Sequence, residues 1–343
     1  MKFDKIRTFI KSLKMSPKAS SKVINAKNFY GKDDSDIPGY SSDHIIFCDG
    51  LVKIYKSKDT EVVALQGLEL EIKKGEMMAI IGNSGSGKST LMNLIGGLDS
   101  PSAGTLIVDG KNLLRMKKPE LLRYKKEKVG FVWQNNARNL IPYLPAVHNV
   151  EIPMILAGRK DAKKRAAELL EIMGLKERMN NRLSQLSGGE QQRVAIAIAM
   201  ANNPKILLAD EPTGAVDTAT ASIIYNIFRK LNKEYGITII IVTHDRAVAK
   251  NVDRVVTIVD GRTGSEYIRK NSYKEQIMEL DRMSGVEESE THEEMIVVDR
   301  QGRLKIPEEY LELAKIPNNS KVRLKMQNDK IVIYSKDKDD EED

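Results

Sequence analysis

Residues 82–90 read GNSGSGKST and follow the apolar run MMAII at 77–81, which has the length and bounds of a buried strand. The stretch fits the phosphate-binding template G-x-x-x-x-G-K-[ST]. Its glycines let backbone N–H groups face phosphate oxygens, and a helix that begins near Lys88 adds its positive dipole end. We therefore predict a nucleotide site in which Lys88 reaches the β- and γ-phosphates and Ser89 holds Mg²⁺. The predicted loop contacts are Gly82, Asn83, Ser84, Gly85, Ser86, Gly87, Lys88, Ser89 and Thr90.

Residues 206–211 read ILLADE, an apolar strand that ends in two carboxylates. Parallel sheets place ligand-contacting side chains at this end of their strands. Asp210 is predicted to bind Mg²⁺, directly or through water. Glu211 leaves the strand in a different direction and is predicted to polarise the attacking water as general base. A solvated acidic pair in a turn is the alternative, and the phosphate-binding loop disfavours it.

Between these two elements, residues 186–193 read LSGGEQQR. Ser187 and Glu190 form an S-x-x-E capping box that predicts the start of a helix. The motif also resembles the signature sequence of ABC-type ATPases, and residues from about 44 to 270 resemble a complete ABC nucleotide-binding domain. The resemblance implies an α/β P-loop NTPase with an antiparallel β subdomain and a helical subdomain inserted at about 136–190. It also implies a homodimer, in which Ser187, Gly188 and Gly189 act on the ATP that the other protomer holds.

Four more positions match the family pattern in the expected order. Tyr55 matches the aromatic residue that stacks on adenine, although an exposed strand tyrosine is the ordinary alternative. Gln134 matches the glutamine that contacts Mg²⁺ and the water. Asp217 matches the loop that crosses the dimer interface, and His244 matches the histidine that contacts the γ-phosphate. The resemblance thus implies catalytic roles for Lys88, Gln134, Glu211 and His244, with Ser89, Gln134 and Asp210 as Mg²⁺ ligands.

A finer resemblance lies in residues 139–154, NLIPYLPAVHNVEIPM. The segment is similar to ATPases that serve lipoprotein-releasing, macrolide-exporting and peptide-resistance permeases. It implies a cytoplasmic ATPase subunit, peripheral on the inner face of the membrane, that drives a separate integral permease. Trp133, His148 and the TGAVD form of the loop before residue 218 depart from the usual pattern. A soluble ABC ATPase with a regulatory or DNA-associated role is the alternative.

Composition agrees with a protein of two domains: 343 residues, of which 41% are hydrophobic and 30% charged. No stretch approaches the roughly 20 apolar residues of a membrane span, and no apolar signal segment begins the chain. The single cysteine, Cys48, lies in an apolar run, which predicts a buried thiol and a reducing compartment.

Charge concentrates at the N-terminus. Residues 1–30 carry eight Lys and Arg side chains against Asp4 alone, a net +7 that equals the net charge of the whole chain. Apolar residues recur there at helical spacing, so residues 1–43 are predicted to hold a short basic amphipathic helix and a linker. The helix could lie on an anionic membrane surface or on the permease, and a solvated tail is the third interpretation.

Residues 293–335 alternate short strand patterns with Gly and Pro turns. This segment resembles AbrB-like swapped-hairpin domains, whose GR-x-x-IP hallmark matches Gly302, Arg303, Ile306 and Pro307. So small a module buries little core alone, which favours a dimer clamp. Its eight basic and seven acidic residues are a poor footprint for DNA. We predict a linker at 271–292 and an acidic tail at 336–343.

Overall fold

The computed structural model describes residues 39–57, 60–134, 140–269, 292–298, 302, 304–317, 320–327 and 330–335. The strands are β1 (His44–Lys56), β2 (Glu61–Lys73), β3 (Met77–Ile81), β4 (Ala103–Val108), β5 (Lys111–Asn112), β6 (Val129–Val132), β7 (Ile206–Asp210), β8 (Thr238–Thr243), β9 (Arg254–Val259), β10 (Arg262–Arg269), β11 (His292–Ile296), β12 (Val322–Gln327) and β13 (Lys330–Ser335). The α-helices are α1 (Lys88–Ile95), α2 (Lys118–Glu127), α3 (Ala146–Leu156), α4 (Ala162–Ile172), α5 (Gly188–Met200), α6 (Thr218–Tyr235) and α7 (Glu308–Leu313).

A seven-stranded sheet forms the centre of the protein, in the order β11-β10-β9-β3-β8-β7-β6. Strands β9, β3, β8, β7 and β6 run parallel, whereas β10 and β11 are antiparallel to their neighbours. Every residue of β3 and β8 is buried, as expected of apolar runs that are covered on both sheet faces. The carboxyl ends of β3 and β7 therefore open onto one edge, where the predicted site residues follow each strand.

The predicted antiparallel subdomain is the four-stranded sheet β2-β1-β4-β5. Its apolar side chains share one core with the central sheet and α1, as Leu51, Leu91 and Ile240 show. Cys48 is buried in this core, and burial raises the pKa of its thiol. Packing on α1 fixes the loop before that helix against the rest of the core. The α/β fold with an antiparallel subdomain is confirmed.

Helices α3 and α4 lie within the segment predicted to be helical, 136–190, and pack with α5, α6 and the central sheet in a second core. The buried amide of Asn149 shapes the entry to α3. Its Nδ2 donates to the carbonyls of Ile141, Leu144 and Pro145 at 3.1–3.2 Å, and its Oδ1 accepts from Ile141 N–H at 2.6 Å. The Asn149 side chain thus forms hydrogen bonds with four backbone groups of the turn before α3.

The C-terminal region differs from the sequence-based expectation at its first strand. Residues 292–296 do not form part of a separate domain's sheet. They pair with β10 as the edge strand of the central sheet, from Ser265 opposite Ile296 to Arg269 opposite His292. The open edge of β10 offers unpaired backbone groups, which a following strand can satisfy.

Beyond β11, helix α7 precedes a two-stranded hairpin of β12 and β13. Of the GR-x-x-IP hallmark, Gly302 has φ +73° and Pro307 caps α7, whereas Arg303 lies outside the described residues. The predicted amphipathic N-terminal helix, the linker before residue 292 and the acidic tail also lie outside them. Within the described part of the chain, none of the helices combines the length and hydrophobicity that crossing a bilayer requires.

Candidate functional site

The loop between β3 and α1 has the predicted conformation. Gly85 and Gly87 adopt φ +80° and +105°, and Gly87 is the N-cap of the helix that begins at Lys88. A Cβ on Gly82 would lie 2.3 Å from the carbonyl oxygen of Ile258, so only glycine fits there. Asn83, Ser84 and Gly85 are exposed, which leaves their backbone groups accessible to a phosphate.

Lys88 folds back across this loop. Its Nζ donates to the carbonyls of Gly82 and Asn83, at 2.7 and 2.9 Å. Burial lowers the pKa of the Lys88 amine, while the charges of Glu211 and Asp210 raise it. The structure therefore places this cation on the loop, near enough to Glu211 and Asp210 to interact with their charges.

Ser86 shows that the loop is shaped for a polar ligand. Its hydroxyl oxygen is buried and has no hydrogen-bond partner among the described residues. A buried polar atom without a hydrogen-bond partner destabilises the folded protein. The presence of such an atom at Ser86 therefore indicates that a bound ligand supplies its partner. The loop also lines a cavity of about 270 Å³ with His244 and Asp260. Phosphate oxygens would satisfy the Ser86 hydroxyl.

Glu211 and His244 are 33 positions apart in the sequence, and both are predicted to belong to the site. In the structure they lie in direct contact. Glu211 Oε1 accepts from His244 N–H at 3.0 Å and lies 2.7 Å from Nδ1 of the same residue. Its Oε2 accepts from the Thr243 hydroxyl at 2.9 Å. Glu211 has φ +46°, a rare backbone conformation for this residue type that turns it away from the line of β7. Both carboxylate oxygens are thereby oriented.

Tyr55 is 40% exposed at the end of β1. Its hydroxyl donates to Asp99 Oδ2 at 3.0 Å and lies near the side chain of Thr90, at the end of the phosphate-binding loop. Lys53 donates to Asp99 Oδ1 at 2.7 Å and lies 4.8 Å from the centre of the Tyr55 ring. Burial raises the pKa of Tyr55. The ring is thus fixed beside the loop, with enough exposure to stack on a base.

The capping box of the signature motif is confirmed. Ser187 Oγ accepts from Glu190 N–H at 3.2 Å, and Glu190 Oε2 accepts from Ser187 N–H at 2.8 Å. No described hydrogen bond joins Ser187, Gly188 or Gly189 to the phosphate-binding loop of the same chain. Around Gly188 the space that a Cβ would occupy is open within 4 Å. The start of α5 is therefore accessible from outside.

Two predicted residues lie apart from this cluster. Asp217 is exposed and caps α6, where it accepts hydrogen bonds from the N–H and hydroxyl of Thr220. Gln134 is exposed just beyond β6, after the stacked rings of Phe131 and Trp133. Neither residue touches Lys88 or Glu211 through a described hydrogen bond.

The residues predicted to hold Mg²⁺ present one hydroxyl, one amide and one carboxylate, on Ser89, Gln134 and Asp210. Mg²⁺ usually keeps several waters and takes one or two protein ligands together with substrate phosphates. The exposed hydroxyl of Ser89, one residue after Lys88, suits that arrangement. The donor set therefore fits an ion that shares the nucleotide's phosphates.

Sequence reasoning missed three residues that orient the predicted ones: Thr243, Asp99 and Lys53. Thr243 holds Glu211, and the other two hold Tyr55. Thr243 immediately precedes His244, so its proximity could have been inferred. Asp99 and Lys53 are 46 positions apart, and only the folded structure brings them together.

Known proteins match part of this chain. The family described as ABC transporter matches residues 65–214. The lipoprotein-releasing system ATP-binding protein LolD of Bacteroides fragilis is 43% identical over 219 residues, which are 63% of this chain and 99% of that protein. The macrolide export ATP-binding/permease protein MacB of Syntrophobacter fumaroxidans is 45% identical over 213 residues, which are 61% of this chain and 30% of MacB.

A solved structure agrees with the fold. It is the dimeric ATP-binding cassette MJ0796, in a post-hydrolysis state bound to ADP and Pi. The TM-score is 0.61 at 41% identity, with 66% of this chain and all of that chain covered. A protein of that name is known from Methanocaldococcus jannaschii. The covered share leaves about a third of this chain outside the likeness.

Proposed function

Because this chain belongs to the ABC transporter family of ATP-binding proteins, we propose that its nucleotide site is completed by a second copy of the same chain. The chain is the ATP-binding and ATP-hydrolysing subunit of an ABC transporter. The observation that carries the proposal is the position of the signature motif. Ser187 and Gly188 are exposed at the start of a helix, and neither they nor Gly189 make a described hydrogen bond to the phosphate-binding loop of the same chain. Two copies arranged head to tail would bring each α5 N-terminus to the other's γ-phosphate.

Each residue of the site then has a distinct task. Lys88 and Ser86 bind phosphate oxygens, and Glu211 takes a proton from the attacking water. Thr243 and His244 hold the Glu211 carboxylate in place, with His244 also near enough to the loop cavity to reach the γ-phosphate. Mg²⁺, held by Ser89, Gln134 and Asp210 with the phosphates, would neutralise charge on the phosphate oxygens. The ring of Tyr55 binds adenine.

The substitution Glu211→Gln tests the task of Glu211. It keeps the acceptor oxygen that faces Thr243 or His244 but removes the base, so hydrolysis should fall by about 10²–10⁴-fold while ATP still binds. The variant should elute as a dimer with MgATP in size-exclusion chromatography. Adding Ser187→Arg should return it to a monomer. Hydrolysis by Glu211→Gln at the parental rate would disprove the general-base assignment.

We place the partner permease on the helical subdomain. Tyr143, Ile155 and Leu156 are 69%, 50% and 61% exposed there, so three large apolar side chains are available for a partner to cover. LolD belongs by its name to a lipoprotein-releasing system, and MacB joins its ATP-binding part to a permease in one chain. The proposed location of the protein is therefore the cytoplasmic face of the membrane, bound to that permease.

Capture from native membranes tests this surface. The tagged full chain should retain a polytopic membrane protein, and Ile155→Asp with Leu156→Asp should lose it. The control is Leu122→Asp, because Leu122 is 65% exposed on α2, outside the helical subdomain. Recovery of DNA or soluble proteins alone would favour the regulatory alternative instead.

The C-terminal hairpin supplies a second proposed dimer contact. On one of its faces lie Val322, Leu324 and Met326 of β12 with Ile331 and Ile333 of β13. Leu324, Met326 and Ile331 are 66–70% exposed. A two-stranded hairpin is marginally stable in water by itself. The same face of a second copy would bury these residues, as the AbrB-like resemblance implies.

Two matched double variants separate this contact from general charge effects. Leu324→Asp with Met326→Asp alters the apolar face, whereas Arg323→Asp with Lys325→Asp alters the opposite face of the same strand. Without nucleotide, the first pair should weaken dimerisation in analytical ultracentrifugation at least tenfold more than the second. Equal effects would rule out the hairpin face as the contact. A DNA mobility shift with the parental protein would support the DNA-associated alternative.

A further inference from the structure

The C-terminal segment lies next to the turn that supports the phosphate-binding loop. Strands β9 and β10 are joined by Asp260 and Gly261, with Val259 directly opposite Arg262. Both turn residues have positive φ, +51° and +72°, as in a two-residue hairpin turn of the Asp-Gly type. We call Asp260–Gly261 the support turn, because the loop rests on it.

Backbone contacts connect the support turn to the phosphate-binding loop. Gly261 N–H donates to the carbonyl of Ser86 at 3.0 Å, and the Gly261 carbonyl accepts from Gln66 N–H at 2.9 Å. A Cβ built on Gly87 would lie 3.6 Å from Gly261 Cα and 2.6 Å from the carbonyl oxygen of Ala64. The Leu65 side chain packs at the same place, with its Cδ2 2.9 Å from that Cβ position. A displacement of the turn must therefore move Ser86 or break its hydrogen bond.

The C-terminal segment contacts the same hairpin from its other side. Strand β11 pairs with β10 along five residues, and Val297 N–H then donates to the Gly264 carbonyl at 3.2 Å. Lys305 Nζ lies 3.5 Å from Asp260 Oδ2 of the support turn. Between these contacts a cavity of about 390 Å³ is lined by both parts of the chain. We call β11, Val297 and Lys305 the docking segment.

We propose that the docking segment controls nucleotide affinity through the support turn. This inference rests on the proposed nucleotide site and adds its regulation. The two states are the docked one and one in which the short edge strand has left β10. In the docked state β10 and the support turn are fixed, and the loop is preorganised for phosphate. Undocking releases the turn, so ATP binds more weakly.

Linkage makes the effect reciprocal. If docking raises nucleotide affinity by some factor, bound nucleotide must stabilise docking by the same factor. A partner that holds the C-terminal hairpin, including a second copy, would thereby act on both ATP sites.

The test uses the full chain and Mg²⁺ with the non-hydrolysable ATP analogue AMP-PNP in isothermal titration calorimetry. Val297→Pro removes the N–H that binds Gly264, and Val298→Pro is its control, because residue 298 is exposed and its N–H has no described hydrogen bond. Val297→Pro should raise the Kd for AMP-PNP at least threefold, with the control within twofold of the parent. Equal Kd values for both variants would overturn the proposal.

Lys305→Glu provides a second variant that leaves the backbone intact. It reverses the charge beside Asp260 and should raise the Kd in the same direction by a smaller factor. Lys325→Glu on the hairpin is its control, since it makes the same charge change away from the support turn. An unchanged Kd in Lys305→Glu, when Val297→Pro has lost thermal stability, would also overturn the proposal.

Hydrogen exchange gives the reciprocal measurement. AMP-PNP should slow exchange of the amides at 292–297 in the parental protein and not in Val297→Pro. No slowing in the parent would contradict the linkage. If the parental protein fails to bind AMP-PNP at all, the proposed nucleotide site itself is wrong. Binding that is insensitive to the docking segment rejects only this inference.

Discussion

Strands β8 and β12 have the same length and opposite surroundings. All six residues of β8, TIIIVT, are buried, and all six residues of β12, VRLKMQ, are exposed. A continuous apolar run suits a strand covered on both faces, whereas alternation of apolar and basic residues suits burial on one face. In the nucleotide-binding core, the apolar residues of β8 are thus buried by other parts of the same chain. The alternating pattern of β12 predicts that its apolar face is covered, but the described residues leave that face exposed.

The contrast also separates function from assembly. The core holds the cation, carboxylates and phosphate-binding loop in fixed relation through buried strands, so this part of the site is formed within one chain. Covering the apolar face of the hairpin would stabilise it further, at roughly 25 cal/mol per Å² removed from water. We therefore expect core substitutions to change catalysis or folding, and hairpin substitutions to change association.

The largest expected effect is on the core's chemistry. Lys88→Met removes the amine that folds across the loop but keeps a long apolar stem, so the fold should persist. Hydrolysis should fall by roughly a thousandfold, because a charged group that stabilises the transferring phosphate is lost. Steady-state phosphate release measures it. Lys205→Met, which removes a surface partner of Asp109, is the control and should keep the parental rate.

The next prediction compares the two strands directly. Ile240→Ala in β8 should lower the free energy of unfolding by about 2–5 kcal/mol, because a fully buried side chain leaves a cavity. Leu324→Ala in β12 should lower it by about 0.5 kcal/mol or less in dilute, monomeric protein, since the side chain is 68% exposed.

Urea titration of both variants measures the two losses in the free energy of unfolding and shows whether the hairpin face is buried like the core. If Leu324→Ala costs as much as Ile240→Ala at a concentration where the protein is monomeric, the hairpin face is covered within the chain. The contrast between self-sufficient core and partner-dependent hairpin would then fail.

Sequence was sufficient for most of the core because its signals are local. The run MMAII, the loop at 82–90 and the capping box of Ser187 and Glu190 each specify their own conformation, and all three are confirmed. The order of these motifs then indicates the fold. The roles assigned to Glu211 and His244 stay predictions, although the structure brings the two side chains together.

Sequence was not sufficient where pairing is non-local. Residues 292–296 pair with the outer edge of β10. No local sequence pattern in these residues indicates that β10 is their partner. For the same reason Asp99 could not be assigned to Tyr55, because residues far apart in sequence meet only after the sheets pack. The period-2 pattern identified the strands of the C-terminal region but not their partners.

A smaller effect tests how tightly the core is packed near the signature motif. A Cβ on Gly189 would lie 2.3 Å from Thr220 Cγ2, whereas one on Gly188 would meet nothing within 4 Å. Gly189→Ala should therefore destabilise the nucleotide-free protein by about 1–3 kcal/mol in urea titration. Gly188→Ala should be neutral or slightly stabilising, since alanine favours the helix. Equal stability of both variants would show that α6 can move away at little cost.

The smallest expected effect lies within β8 itself and distinguishes its structural and catalytic ends. Thr243→Val keeps the shape of the side chain but removes the hydroxyl that donates to Glu211. Loss of this hydrogen bond should make the reactive position of the Glu211 carboxylate less favourable by about 1 kcal/mol, so kcat should fall roughly fivefold. Thr238→Val is the control at the other end of the strand, where the hydroxyl accepts from Gly75 N–H. Thr243→Val removes two hydrogen bonds, because the Thr243 hydroxyl also accepts from Asp245 N–H at 3.1 Å, whereas Thr238→Val removes one. Thr243→Val should therefore lower stability somewhat more than Thr238→Val. A fall in kcat for Thr243→Val alone assigns that hydroxyl to the general base, whereas parallel falls would mean that β8 acts only as a support.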